Sequence, residues 1–174
     1  MIASKDIVQS LSNERSKANI QNLVELIDKE GLDFIEFFAE VDRQKHPVKW
    51  HMTWLLKHFI EKHPEVGRSI QLSIWKLLKA TSNHSMLRDL WRCMSHIEIN
   101  DEISGEVYAA ATGTFTSQKH AIAVRAHSLE CACKIDKPYQ ELRDGMLLFL
   151  KPLKNDDSAG MRSKSKNWLR AFSD

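Results

Sequence analysis

Cysteine is scarce in this chain: Cys93, Cys131 and Cys133 are the only three among 174 residues. An odd number fits no disulfide framework and agrees with a reducing compartment. Cys131 and Cys133 stand two apart on an expected helix, so they point to different sides and make a poor metal pair. Long apolar runs are missing as well. None exceeds five residues, as in Met146 to Leu150, far short of a membrane span, and the N-terminal MIASKDIVQS has no apolar core that could serve as a secretory signal. The expectation is a cytoplasmic protein with no membrane partner. No stretch alternates with period two for long enough to make a strand. A Gly-rich phosphate loop, a Gly-x-Ser-x-Gly elbow and the HExxH zinc pattern are also missing, so no catalytic residue, cofactor or metal is expected. His46, His51, His58 and His63 crowd one segment, and His51 and His58 share a helix face, yet only Glu61 stands at helical spacing from His58.

What the chain does contain is a repeated pattern. An apolar residue followed by a basic one recurs as Val48-Lys49, Leu87-Arg88, Val124-Arg125 and Met161-Arg162, at spacings of 39, 37 and 37 residues. A period in this range with two helices per copy is the mark of a helical solenoid, whose copies bury their apolar faces only against neighbours. Residues 1–31 read as an N-terminal helical cap, with a helix over about 5–11 and another over about 14–30 that Gly31 ends. In the second, Ile20, Leu23, Val24 and Ile27 form one stripe. Residues 32–174 then read as four helix pairs: 32–42 with 48–62, 66–79 with 85–97, 102–115 with 119–135, and 138–154 with 158–172. Phe34, Ile35, Phe37 and Phe38 give the first pair a broad apolar face, and Pro152 should kink or end its helix. The small residues from Ala109 to Gly113 should let neighbouring helices approach. The whole is one all-α domain, 1–174.

Aligning the second helices on Lys49, Arg88, Arg125 and Arg162 sorts their residues. Leu55, Met94 and Cys131 with Trp168, Leu56 and Ala132 with Leu169, and Phe59 and Ile135 with Phe172 fall in mostly apolar columns and are expected in the core. The mixed columns hold Thr53, Arg92, Leu129 and Lys166; Trp54, Cys93, Glu130 and Asn167; and Lys57, His96, Cys133 and Arg170. Second helices line the concave surface of such solenoids. The candidate contact face is therefore Trp50, Trp54, Lys57, Arg92, His96, Glu130, Arg162, Lys166 and Arg170. The basic residue that sets the register is expected to pair with an acidic or carbonyl group of a neighbouring turn.

The segments VKWHMTW, LRDLWRCM, VRAHSLECACKI and MRSKSKNWLRAF resemble the second helices of HEAT-type repeats, over about residues 32–172. This resemblance implies a right-handed α–α superhelix of the HEAT/armadillo-like kind and a non-enzymatic binding or scaffold role with a protein partner. The C-terminal part, from HAIAVRAHSLECACKIDKPYQEL to SAGMRSKSKNWLRAF, is more closely similar to small helical-repeat proteins of Bacteroidetes often labelled adenylosuccinate lyase. True lyases of that superfamily are longer and carry a Gly-Ser-Ser-rich signature loop with Met-Pro and Lys, which this sequence lacks; no adenylosuccinate cleavage is expected. A nucleic-acid partner is the alternative. HEAT-like DNA alkylation-repair glycosylases use aromatic and acidic residues on a basic face, and Trp50, Trp54 and Trp91 with Arg92, Lys166 and Arg170 offer comparable chemistry. Net charge rises from −3 over 1–45 through +1 over 46–117 to +4 over 118–174. Arg162, Lys166 and Arg170 recur at four-residue intervals on one helix face, which favours an anionic surface at that end.

Overall fold

A computed structural model describes residues 1–173. Among them are eleven helices: α1 (Ser4–Asn13), α2 (Lys17–Glu30), α3 (Phe34–Arg43), α4 (Val48–Lys62), α5 (Pro64–Ser69), α6 (Gln71–Ala80), α7 (His84–His96), α8 (Asp101–Thr116), α9 (Ile122–Asp136), α10 (Gln140–Leu153) and α11 (Ala159–Ala171). The only extended pairing described is one isolated parallel bridge between Ile2 and Leu32. The fold is all-α. No described helix is long and apolar enough to cross a membrane. The chain divides into two compact units, one over Met1–Ile97 and one from Glu98 onward.

Short polar side chains set the helix starts. Ser16, Asp33, Asn83 and Ser158 each accept a backbone N–H of the first turn of α2, α3, α7 and α11, satisfying donors that have no partner inside the helix. Gly31 ends α2 at φ 79°, a conformation that costs a residue without a Cβ little. Where 66–79 reads as one helix, the structure has two, broken at Ile70. The Gln71 side-chain amide donates to the Arg68 carbonyl, and the Ser69 hydroxyl adds to the Ile70 N–H on the Val66 carbonyl. Helix α9 begins at Ile122 rather than Lys119, and α10 at Gln140 rather than Pro138. Pro152 lies one residue before the end of α10, and the Ser165 hydroxyl of α11 donates to the Leu150 carbonyl there.

In the first unit α4 is central, packed by α1, α2, α3 and α7, with α5 and α6 against α7. Ile20, Leu23, Val24 and Ile27 are all buried, as are Leu55, Leu56, Phe59 and Met94. Ile35 is not: it is 87% exposed, because the buried stripe of α3 follows Phe37 and Val41 and leaves Ile35 on the other side. A Cβ on Gly67 would lie 2.5 Å from Ile97 Cγ2 and 2.9 Å from Ile60 Cγ2, so α5 approaches its neighbours as only glycine allows.

In the second unit α9 packs against α8, α10 and α11. Val107, Ala111 and Phe115 of α8 are fully buried, whereas Gly113 faces open space; close approach runs through Ala111 rather than the glycine. Ile135, Trp168 and Leu169, expected in the core, are only half-buried. All three cysteines are free and buried.

Candidate functional site

Each of the four register residues has an acidic or carbonyl partner, Arg88 in the residue next to it rather than on a neighbouring turn. Lys49 Nζ is 3.8 Å from Asp42, and Arg88 Nη2 is 2.9 Å from Asp89. Arg125 is 3% exposed. It donates from Nε to the Phe115 carbonyl, from Nη1 to Gln118 and from Nη2 to Asp156 at 2.7 Å, pinning the end of α8 and the loop before α11 to α9. Burial works against the Asp156 carboxylate, but the Arg125 guanidinium and the Ser158 N–H outweigh it and hold its pKa below the ordinary value. Arg162, a candidate contact residue, donates to the Asp156 and Asp157 carbonyls.

In the first unit the sequence-selected residues gather along α4 and α7. Trp50 and Trp54 are half-buried, one helical turn apart, and stacked with centroids 6.4 Å apart and planes 19° from parallel. His46 continues the stack on one side of Trp50, and Arg15 sits 4.4 Å from its ring centroid. The Trp50 indole N–H donates to Asp89 Oδ2 at 3.1 Å, which fixes the ring. Asp89 itself is 1% exposed; burial raises its pKa, with Arg88 and the Trp50 N–H pulling the other way. One turn along α4, Lys57 Nζ is 3.9 Å from Glu61, and Arg92 Nε of α7 donates to the same carboxylate at 2.9 Å. Burial lowers the Lys57 pKa. His96 Nδ1 lies 3.0 Å from the Arg92 carbonyl. The arrangement is an aromatic step beside a charge cluster of both signs.

Trp91, set beside Trp50 and Trp54 on its chemistry, is instead 1% exposed and packs edge-on against Trp75 at 6.2 Å. Thr53, Leu129, Cys93 and Cys133, which share columns with the candidate face, are fully buried. Residues that share a column therefore differ in exposure from one helix to the next, because what covers each helix face differs.

In the second unit, Glu130 is ion-paired with Lys164. Lys166 and Arg170 are exposed and, with Lys154, Leu169 and Ser173, line a depression of about 440 Å3, and no carboxylate is among its described lining residues. The sequence reading missed Asp89 and Glu61 as partners. The four-residue spacing of Lys57 and Glu61 signals the second; nothing local signals the first, which meets Trp50 across 39 positions.

No curated protein and no solved structure matches the chain. The model of the HEAT repeat domain matches residues 7–172, nearly the whole length over which paired helices, register cations and buried seams recur. The chain belongs to the HEAT repeat domain family.

Proposed function

We propose that this HEAT-repeat binding module takes a protein partner, with the Trp50–Trp54 stack of α4 as its anchor. The observation that carries the reading is that stack: two half-exposed indoles in a fixed geometry, beside Lys57, Glu61 and Arg92. Exposed Trp with Arg nearby has the composition of an interface hot spot, and rigid rings lose little freedom when covered. The cations here are already shared with Glu61, so a phosphate backbone would have to displace a carboxylate. A protein surface offering a carbonyl or a carboxylate beside an apolar side chain need not.

The test is capture of partners from the native cell by immobilised wild type and by Trp54→Ala, with nuclease present and salt raised to about 0.5 M, where contacts between exposed charges are screened. The expected result is a protein retained by the wild type and lost from the variant, with helicity by circular dichroism unchanged. Retention by both, or loss on nuclease treatment alone, overturns it.

Nucleic-acid binding is the second reading, favoured by the depression at Lys154, Lys166 and Arg170. Its signature is affinity for an oligonucleotide that falls steeply with salt and is abolished by Lys166→Glu with Arg170→Glu.

A further inference from the structure

In the second unit, a groove of about 420 Å3 opens between the first two turns of α8 and the start of α10. Tyr139 and Leu142 form one wall and are 50% and 41% exposed, large apolar groups left facing solvent. Ser104, Gly105 and Tyr108 form the other, with Ile135 of α9 between them. Among the described residues no Lys, Arg or His lines it, and Asp101 is the one charged lining residue.

Behind Tyr108 lies the unusual group. Asp136 is fully buried at the end of α9, and neither of its carboxylate oxygens closes a hydrogen bond of ordinary geometry. Among the described residues no cation acts on it; the polar group that does is the Tyr108 hydroxyl. Burial pushes the Asp136 pKa up to about 6, and burial together with that neighbouring charge pushes Tyr108 up to about 12. At neutral pH the groove therefore has a negative charge directly behind one of its walls. An uncompensated buried carboxylate opposes folding, and such groups beside a cleft are the sort that binding sites retain.

We propose that this groove receives an arginine side chain of the protein partner, next to an apolar residue of the same segment. A planar guanidinium stacks on Tyr faces, which a compact ammonium does less well, and the Tyr108 oxygen, beside Asp136 and with the Thr112 hydroxyl as its other polar neighbour, has a second lone pair that can accept one of its N–H groups. Tyr139 and Leu142 cover the apolar neighbour. Asp136 is a positioning residue acting through Tyr108, and it supplies the attractive field without touching the ligand. The inference rests on the protein-binding reading but uses a surface in the other unit from Trp50 and Trp54.

The experiment is an NMR titration of the 15N-labelled full chain with three probes: N-acetyl-Leu-Arg-Leu amide, the same peptide with citrulline for arginine, and ethylguanidine. Citrulline keeps the shape and removes the charge. The expected result is shifts centred on Ser104, Gly105 and Leu142, with the arginine peptide bound about tenfold tighter than the citrulline peptide. Asp136→Asn should abolish that preference while the fold persists. Below about pH 6 the wild type should lose the preference too, and the variant should show no such pH dependence. Tyr108 of α8 and Cys133 of α9 are the titratable groups that face Asp136, with no charged side chain of α10 or α11 acting on it. Asp101 is common to both proteins, so their difference isolates Asp136. Trp54→Ala should bind the arginine peptide normally, which separates this site from the first-unit anchor. Equal binding of the two peptides, no binding of either, a preference that survives in Asp136→Asn, or ethylguanidine binding as tightly as the peptide overturns the proposal.

Discussion

Asp136 and Arg125 sit on the same helix and illustrate opposite fates for a buried charge. Arg125 meets a carboxylate and two further acceptors and is compensated, whereas among the described residues Asp136 meets a phenol and a thiol but no cation. Removing a partner from a compensated pair leaves the other charge stranded, so Arg125→Ala should cost about 3–5 kcal/mol in a denaturant titration at neutral pH. Arg125→Lys should fail to restore it, because an ammonium cannot span Phe115, Gln118 and Asp156 together. For Asp136 the sign reverses. Its folded pKa, about 6, lies above the ordinary 3.8, so the folded state binds a proton more readily than the unfolded one. The cost is absent below about pH 4, grows as pH rises between the two values, and is complete above 6. Asp136→Asn should therefore stabilise the protein by about 1–3 kcal/mol at pH 7 and by nothing near pH 4. Stability curves at both pH values check this.

At the scale of the element, α4 shows how far sequence carries. Its bounds, 48–62, read correctly because a proline precedes it and apolar residues recur on helical spacing throughout. Leu55, 1% exposed at the centre of the first unit, should cost about 2–5 kcal/mol when truncated to Ala, read from the midpoint of chemical unfolding. The break at Ile70 was not legible, since neither Pro nor Gly stands at it. Gly67 gives that region its own test. Gly67→Ala would ordinarily favour a helix, but here the added methyl meets Ile97 and Ile60, so it should destabilise by about 1–3 kcal/mol. At the site, Trp50 and Trp54 were legible as a pair by their four-residue spacing. Trp91 was not separable from them, because an indole has the same local signature whether or not another helix covers it. Asp136 was missed for a similar reason: between Lys134 and Lys137 it reads as a solvated acid, and only the packing of α8 beneath it removes the water.

At the scale of the whole chain, the repeat period revealed the family and the helix pairing, because helices that bury a common seam must repeat their apolar spacing. It did not reveal which members of a column are accessible, nor the division near Ile97. That division has a practical side through the cysteines. Cys93 lies in the first unit and Cys131 and Cys133 in the second, all fully covered, and burial pushes every thiol pKa up, that of Cys131 to about 12. A thiolate is the reactive form, so an alkylating reagent should leave the native protein almost unmarked. Short pulses of iodoacetamide at rising denaturant, followed by peptide mass analysis, should label Cys93 as the first unit opens and Cys131 with Cys133 as the second does. Labelling in native buffer at the rate of a free thiol would contradict the burial. The wild-type sequence thus carries its own two-channel clock, able to time the loosening of either half without a single introduced probe.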